Sequence, residues 1–276
     1  MTFYLGVDGG GSGCRAVLAD AQGRVLARAE GGPANINSGP EVAIRNILSV
    51  TGAVLAEAGV AADRVAAGLG LAGGNVGIRK AAVLAALPFA RVRVESDGWT
   101  AARGALGADD GVVAAFGTGS VFAVQKAGVI TLTGGWGWFL GDEGGGAGLG
   151  RAVLAALLRA VDGLPPGITP LGQRLLDRLG GPHGVVGFAD TAGPADLARL
   201  APEVAAGGDA LADLVLDRMQ GDILAMLNHL NPEARLPLVY LGGLGPLWRD
   251  RLALPFVEPR GNALDGALQL AREGDA

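Results

Sequence analysis

The sequence is poor in the residues that disulfides, many metal sites and nucleic-acid interfaces need. Its 276 residues include one cysteine, two histidines, and lysine only at Lys80 and Lys126. A single cysteine, Cys14, excludes an intramolecular disulfide and a metal site built from cysteines. The net charge of −5 and the lack of a basic cluster argue against nucleic acid or an anionic membrane surface as a partner.

Long apolar segments are also lacking. The uncharged runs Gly111–Val124 and Ala127–Gly141 are short and are broken by glycines, so neither is expected to span a membrane. The chain reaches Asp8 without the basic stretch of a signal peptide. We therefore expect a soluble protein of the cytoplasm.

Glycine, by contrast, is abundant, with 49 residues and no collagen-like period. The stretch GVDGGGSGCRAVLAD, residues 6–20, places three consecutive glycines between two predicted strands, Phe3–Val7 and Arg15–Asp20. Glycine weakens a strand, so it is expected where a turn or a close backbone approach requires it. The sequence predicts a hairpin whose tip lies close to a ligand.

The order of predicted elements repeats along the chain. Both halves read β-β-β-α-β-α-β-α, and the second half carries a longer helical insertion between about residues 145 and 230 and a candidate strand Leu254–Val257. This alternation predicts an α/β fold of two domains, 1–108 and 109–276, each with a helix-covered sheet and with a ligand cleft between them. The C-terminal helix, 262–273, is predicted to pack back on the first domain.

A second glycine hairpin occupies the matching place in the second half. GTGS, residues 117–120, corresponds to DGGGS, residues 8–12. Backbone N–H groups in such turns form anion-binding concavities, and each hydrogen bond to a charged acceptor contributes roughly 1.5–3 kcal/mol. The pair predicts a phosphate site, although one hairpin alone is equally well an ordinary turn. Neither the P-loop nor the Rossmann pattern is present.

Asp8 lies where the first strand meets its hairpin. A carboxylate beside a polyphosphate indicates an intervening cation, and Mg²⁺ keeps several waters while using only one or two carboxylates. We expect Asp8 to hold Mg²⁺ through water. The alternative is a turn aspartate that bonds its own backbone.

Several motifs together resemble a known superfamily. They are GVDGGGSGCRAV, GGPANINSG (31–39), LGLAGG (69–74), SDGWTAARGA (96–105), FGTGS (116–120), GGWGWFLGDEGGGAGLG (134–150) and NALDGALQLA (262–271). The chain resembles the sugar kinase/actin/heat-shock ATPase superfamily and, within it, the BadF-type ATPases that include N-acetylglucosamine and glucosamine kinases. The resemblance implies two ribonuclease-H-like domains, use of ATP and Mg²⁺, a homodimer, and phosphorylation of an aminosugar at O6.

The resemblance also implies site residues. Asp97 is the expected general base, although the sequence alone makes it an equally good N-cap for the following helix. Asp142, its rival, is implied as a sugar contact. Substrate contacts are implied at Asn35, Asn37, Gly73, Asp97, Gly135, Trp136, Gly137 and Asp142. Nucleotide contacts are implied at Asp8, Gly10, Gly11, Ser12, Gly117, Thr118, Gly119, Ser120, Gly242 and Gly243.

Four questions stay open at this stage. Ala72 is typical of glucosamine kinases, whereas the Gly-Trp-Gly segment favours N-acetylglucosamine. Trp136 is alternatively a core residue. The same family includes ATPase activators of dehydratases, which need two thiolates per chain where this one has only Cys14. Another hexose remains an alternative substrate.

Overall fold

The computed structural model describes residues 2–11, 13–37, 39–74 and 77–273. The strands are β1 (Phe3–Gly9), β2 (Cys14–Ala19), β3 (Val25–Gly31), β4 (Val65–Leu71), β5 (Arg91–Ser96), β6 (Gly111–Phe116), β7 (Ser120–Lys126), β8 (Val129–Gly134) and β9 (Leu238–Leu241). The helices are α1 (Pro40–Ala58), α2 (Gly77–Ala86), α3 (Asp97–Leu106), α4 (Gly146–Val161), α5 (Pro170–Leu179), α6 (Gly181–Thr191), α7 (Pro194–Ala198), α8 (Ala201–Ala205), α9 (Ala210–Leu230), α10 (Gly245–Leu252) and α11 (Ala263–Arg272).

The chain divides into two compact units. Unit 1 comprises Met1–Gly111, Ala123–Leu132 and Glu258–Ala276, and unit 2 comprises Val112–Phe122 and Thr133–Val257. The described residues form two sheets together with helices, so the predicted α/β class is confirmed. No helix in the described part of the chain is long and apolar enough to cross a membrane.

The sheet of unit 1 has the strand order β3-β2-β1-β4-β5. The first three strands pair antiparallel, while β1, β4 and β5 run parallel. The strand β4 reads VAAGLGL and is buried along its whole length, as expected of a central parallel strand. This arrangement brings the carboxyl ends of β1, β4 and β5 to one edge of the sheet.

Glycines let α11 pack unusually close to its neighbours in unit 1. A Cβ at Gly68 of β4 would lie 2.2 Å from the carbonyl oxygen of Ala267. Where α11 meets α3, a Cβ at Gly104 would lie 1.9 Å from the Asn262 oxygen, and one at Gly266 would lie 1.9 Å from the Thr100 oxygen. The two helices therefore cross with their backbones in contact.

The second sheet has the strand order β8-β7-β6-β9, with β6 and β9 parallel and Val112 opposite Leu238. The outer ends of β7 and β8 fall in the 123–132 segment assigned to unit 1. In unit 2, the fully buried rings of Phe116 and Trp248 lie 6.0 Å apart, and α4 packs against α9. The Gly146 N–H bond to the Gly117 carbonyl places the carboxyl end of β6 beside the start of α4.

The predicted strand Leu254–Val257 was wrong, because the structure assigns no strand to these described residues. The segment keeps one ladder-like bond, from the Val257 N–H to the Leu238 carbonyl at 2.9 Å. Pro255 has no N–H to donate and a fixed φ, so it interrupts strand pairing. Phe256 packs edge-on against Tyr240 instead.

The crossing of α3 and α11 yields a stability prediction. We expect Gly266→Ala to lower the free energy of unfolding by about 1–3 kcal/mol, because the added Cβ overlaps the Thr100 carbonyl. The matched control is Gly221→Ala in α9, where a Cβ meets open space and alanine favours the helix. Urea denaturation followed by circular dichroism measures both, and equal effects of the two changes would contradict the packing argument.

Candidate active site

Backbone hydrogen bonds join three segments at the carboxyl edge of the unit 1 sheet. The Gly10 carbonyl accepts from Ala34 N–H at 2.9 Å, and the Gly9 carbonyl accepts from Ala72 N–H at 2.8 Å. The Ala72 carbonyl in turn accepts from Ile36 N–H at 3.0 Å. The first glycine hairpin, the turn after β4 and the loop that carries the two asparagines are thereby held side by side.

Asp97 begins α3 at the same edge but does not cap it. The Ser96 hydroxyl is the N-cap and accepts from Trp99 N–H at 3.2 Å. One oxygen of Asp97, Oδ1, accepts from Gly98 N–H at 2.9 Å, and the side chain stays exposed to solvent. Surrounding protein atoms nevertheless raise the pKa of Asp97 by desolvation, and the charge of Asp8 raises it further. The carboxylate is therefore accessible and more basic than an ordinary aspartate.

Asp8 forms an ion pair with Arg15 across the β1–β2 hairpin, where the two residues are direct register partners. Arg15 contacts the Oδ2 atom of Asp8, and this ion pair does not use the Oδ1 atom. In the described part of the chain, no three histidine, cysteine or acidic side chains are grouped so as to hold a metal. This donor set fits a magnesium ion that takes most of its ligands from phosphate and water, as Mg²⁺ does.

Asn35 and Asn37 lie in the loop fastened to the turn after β4. Asn35 Oδ1 accepts from Asn37 N–H at 2.8 Å, while the Asn37 side chain is exposed. Gly73 has a φ of +86°, and a Cβ there would lie 2.6 Å from Asn37 Cγ. The structure therefore places three of the predicted substrate residues together.

The second hairpin, in unit 2, is held by the segment that leads into α4. The carbonyls of Gly117 and Thr118 accept from Gly146 N–H and Ala147 N–H, each at 2.8 Å. The Ser120 hydroxyl is buried and donates to the Glu143 carbonyl at 2.8 Å. Ser120 is thus committed to holding the turn in place.

Some N–H groups at the hairpin tips are used within the protein and others are not. Gly10 N–H bonds to Gly13, and Gly117 N–H bonds to Gly119, each at 2.9 Å. Among the described residues, no backbone carbonyl accepts from Gly11, Thr118 or Gly119. Gly11 precedes Ser12 in the sequence, and Ser12, a predicted nucleotide contact, lies outside the described residues.

The glycines of these turns fall into two groups. A Cβ at Gly119 would lie 2.3 Å from Asp142 Oδ2, and one at Gly242 would lie 2.3 Å from the Phe116 carbonyl. A Cβ at Gly11, Gly117 or Gly243, however, would meet no described atom within 4 Å. Internal packing explains the first group, whereas the open glycines fit a ligand that approaches the backbone closely.

Asp142 connects the second hairpin to the loop before it. Its carboxylate accepts from Gly137 N–H at 3.2 Å and from Ser120 N–H, and the residue adopts a φ of +58°. Burial raises the pKa of Asp142, more than these hydrogen bonds lower it. The Asp142 side chain is therefore buried and bonded to the backbone of its own loop and of the second hairpin.

Trp136 is not a core residue. It is 78% exposed, next to Gly135 and Gly137, both of which have positive φ. The exposed indole is free to stack on a ligand, as its predicted role requires.

Two basic residues of the site were missed by the sequence reasoning. The Arg15 pairing with Asp8 could have been found, because hairpin register places the two opposite each other. Arg79 donates from Nη1 to Asn37 Oδ1 across 42 residues of sequence, and no local pattern signals that contact.

Solved structures share this fold. The chain matches the structure of a protein assigned as an N-acetylglucosamine kinase from Chromobacterium violaceum, with 35% identity, a TM-score of 0.87, and 98% and 99% of the two chains covered. A ROK family glucokinase from Streptomyces griseus, solved with glucose and AMPPNP, matches at 20% identity and a TM-score of 0.58 over 99% and 100%, which shows the fold alone. The two units and their glycine hairpins define an actin-like ATPase fold.

The particular family follows from the sequence. The profile of the BadF/BadG/BcrA/BcrD ATPase family matches residues 5–230, and the chain belongs to that family. It is 31% identical to the glucosamine kinase GspK of Vibrio cholerae over 98% of this chain and 96% of that protein. It is 33% identical to the N-acetyl-D-glucosamine kinase of Dictyostelium discoideum over 48% and 46%. The resemblance stated from the motifs is confirmed.

The open glycines give a prediction for nucleotide binding. We expect Gly117→Ala to weaken ATP binding at least about tenfold, because the methyl group occupies space above the hairpin while meeting no protein atom. Isothermal titration calorimetry measures the affinity, and thermal unfolding without ligand checks that the fold is intact. Gly187→Ala in α6, which also meets open space, is the control. Unchanged affinity in Gly117→Ala would remove this hairpin from the nucleotide site.

Proposed function

We propose that the protein is an ATP-dependent hexosamine kinase that phosphorylates O6 of N-acetylglucosamine or glucosamine. The observation that carries the proposal is the Asp97 carboxylate, which is relieved of capping by Ser96 and lies at the strand edge that also holds the first glycine hairpin. The kinase names of the relatives support the reaction and its aminosugar substrate.

Asp97 acts in this proposal as the general base. Its solvent-accessible carboxylate accepts the proton of the sugar hydroxyl, and the raised pKa of Asp97 strengthens that basicity. Positioned bases of this kind contribute about 10²–10⁴-fold to rate. Asn35, Asn37 and Gly73 lie in the adjoining loops and would orient the sugar.

The glycine hairpins would hold the nucleotide through backbone donors. Gly11, Thr118 and Gly119 carry N–H groups suited to phosphate oxygens, and Gly10 and Gly117 shape the two turns. Ser12 stays a predicted nucleotide contact outside the described residues. Asp8 would orient Mg²⁺ through water, and Gly242 and Gly243 would border the adenosine. Bound Mg-ATP supplies the phosphoryl group and the positive charge that offsets its phosphates.

The resemblance also implies sugar contacts in the loop of unit 2. Trp136 offers an exposed ring to the apolar face of a sugar, and Gly135 and Gly137 set its position through their positive φ. Asp142 would position this loop, because its carboxylate accepts the hydrogen bond from Gly137 N–H.

The alternative of a dehydratase activator has little support in this structure. Cys14 is 2% exposed in β2, and burial, followed by the nearby charge of Asp8, raises its pKa. A cluster ligand must be an accessible thiolate, so this thiol is poorly placed for the task. The alternative that another hexose is the substrate is tested by measuring turnover with Mg-ATP on a panel of hexoses.

The proposal predicts a specific loss in Asp97→Asn. We expect kcat to fall by about 10²–10⁴-fold, because asparagine cannot accept the hydroxyl proton, while ATP affinity stays unchanged. ADP release with Mg-ATP and each hexosamine measures turnover. Glu95→Gln is the matched control, because that carboxylate is already paired with Lys80 at 3.3 Å. Full turnover in Asp97→Asn would exclude Asp97 as the base.

The raised pKa of Asp97 predicts the pH dependence. Protonation removes the base, so kcat/KM should fall as pH falls through the pKa of this carboxyl in the free enzyme. Because that pKa is raised, the midpoint should lie above the ordinary aspartate value of about 3.9. A kcat/KM profile against pH tests this, and a midpoint below the ordinary value would contradict the assignment.

A further inference from the structure

Arg79, on α2, is the basic residue in contact with the predicted sugar loop. Its Nη1 donates to Asn37 Oδ1, and the side chain is half-buried. Asn37 also packs over Gly73, where a Cβ would lie 2.7 Å from the same Oδ1 atom. Both contacts fix the Asn37 amide, and we name Asn35, Asn37 and Arg79 the donor edge.

The contacts determine which way each amide points. A guanidinium can only donate, so the Asn37 atom that faces Arg79 is the carbonyl oxygen. The carbonyl oxygen of Asn35 is likewise used, by Asn37 N–H at 2.8 Å. Each of these oxygens already accepts one hydrogen bond, whereas neither Nδ2 group donates to another described residue. The donor edge therefore presents N–H donors to a ligand.

The charges around the donor edge point the same way. Asp8 is paired with Arg15, and Glu95 is paired with Lys80 at 3.3 Å. No ion pair joins Arg79 to a carboxylate of the described residues, and its guanidinium bonds to the neutral Asn37 amide instead. A guanidinium outside any ion pair, beside N–H groups that no described residue uses, attracts acceptor groups and repels cations.

We propose that the donor edge selects the acetamido sugar over the free amine, with Arg79 as the specificity-determining residue. The inference rests on the proposed function. An acetamido group is neutral and offers a carbonyl acceptor, whereas a protonated amine offers three donors and a positive charge. A site whose buried or positioned polar groups are left unpaired by one substrate discriminates strongly against it. The relatives bear both substrate names, so this assignment separates the chain from the glucosamine kinase it resembles.

The test is the ratio of kcat/KM for N-acetylglucosamine to kcat/KM for glucosamine, measured in the wild type and in Arg79→Lys, Arg79→Gln and Arg79→Glu. Sugar binding without nucleotide, measured by calorimetry, gives an independent readout. We expect the wild type to favour the acetamido sugar, Arg79→Lys to retain most of that preference, and Arg79→Gln to reduce it at least about tenfold. Arg79→Glu should reduce it further, because it places a negative charge there. Lys80→Gln, which removes the neighbouring positive charge without touching Asn37, should change the ratio by less than about threefold.

The outcomes separate this inference from the proposed function. A wild type that phosphorylates neither sugar overturns the kinase proposal and, with it, the inference. A wild type that prefers glucosamine, or equal ratios in the wild type and Arg79→Glu, overturns the inference while the kinase proposal stands. Parallel losses on both sugars with an unchanged ratio would make Arg79 structural and would also overturn it.

Discussion

Three backbone hydrogen bonds hold the unit 1 site together, and its other features depend on them. They run from Ala34 to Gly10, from Ala72 to Gly9 and from Ile36 to Ala72, and each joins segments that are distant in the sequence. Because main-chain groups make these bonds, the frame does not depend on which side chains face the ligand. In the function we propose, substrate preference therefore changes through side chains such as Arg79 while the hairpin and Asp97 keep their positions.

Unit 2 repeats the glycine hairpin but secures it differently. The first turns of α4 donate N–H groups to the hairpin carbonyls, and the Asp142 carboxylate bonds to Ser120 N–H. The second hairpin thus relies on one acidic side chain and one helix N-terminus, where the first relies on neighbouring loops. The duplication conserves the turn and leaves its support free to differ.

Local patterns explain what the sequence could predict. The strands around both hairpins and the glycine turns follow from alternation and turn chemistry, which act over a few residues. The failure at Leu254–Val257 also has a local cause, since Pro255 outweighs the apolar pattern. Long-range contacts were not accessible: the Arg79–Asn37 bond and the backbone crossing of Gly104 with Asn262 depend on the assembled unit. The choice between Ser96 and Asp97 as cap likewise needed atomic geometry.

The two candidate bases, Asp97 and Asp142, illustrate why a raised pKa alone does not identify a catalytic group. Desolvation by surrounding protein atoms raises the pKa of both carboxyl groups, yet the two carboxylates are used differently. Asp142 is 8% exposed, accepts two backbone N–H bonds and has Gly119 against its Oδ2 atom, so its oxygens already support the fold. Asp97 accepts Gly98 N–H and remains exposed. A base must receive a proton from outside the protein, and only a carboxylate with an accessible oxygen can do so. Geometry therefore favours Asp97 as the base and makes Asp142 a positioning residue for the loop in front of it.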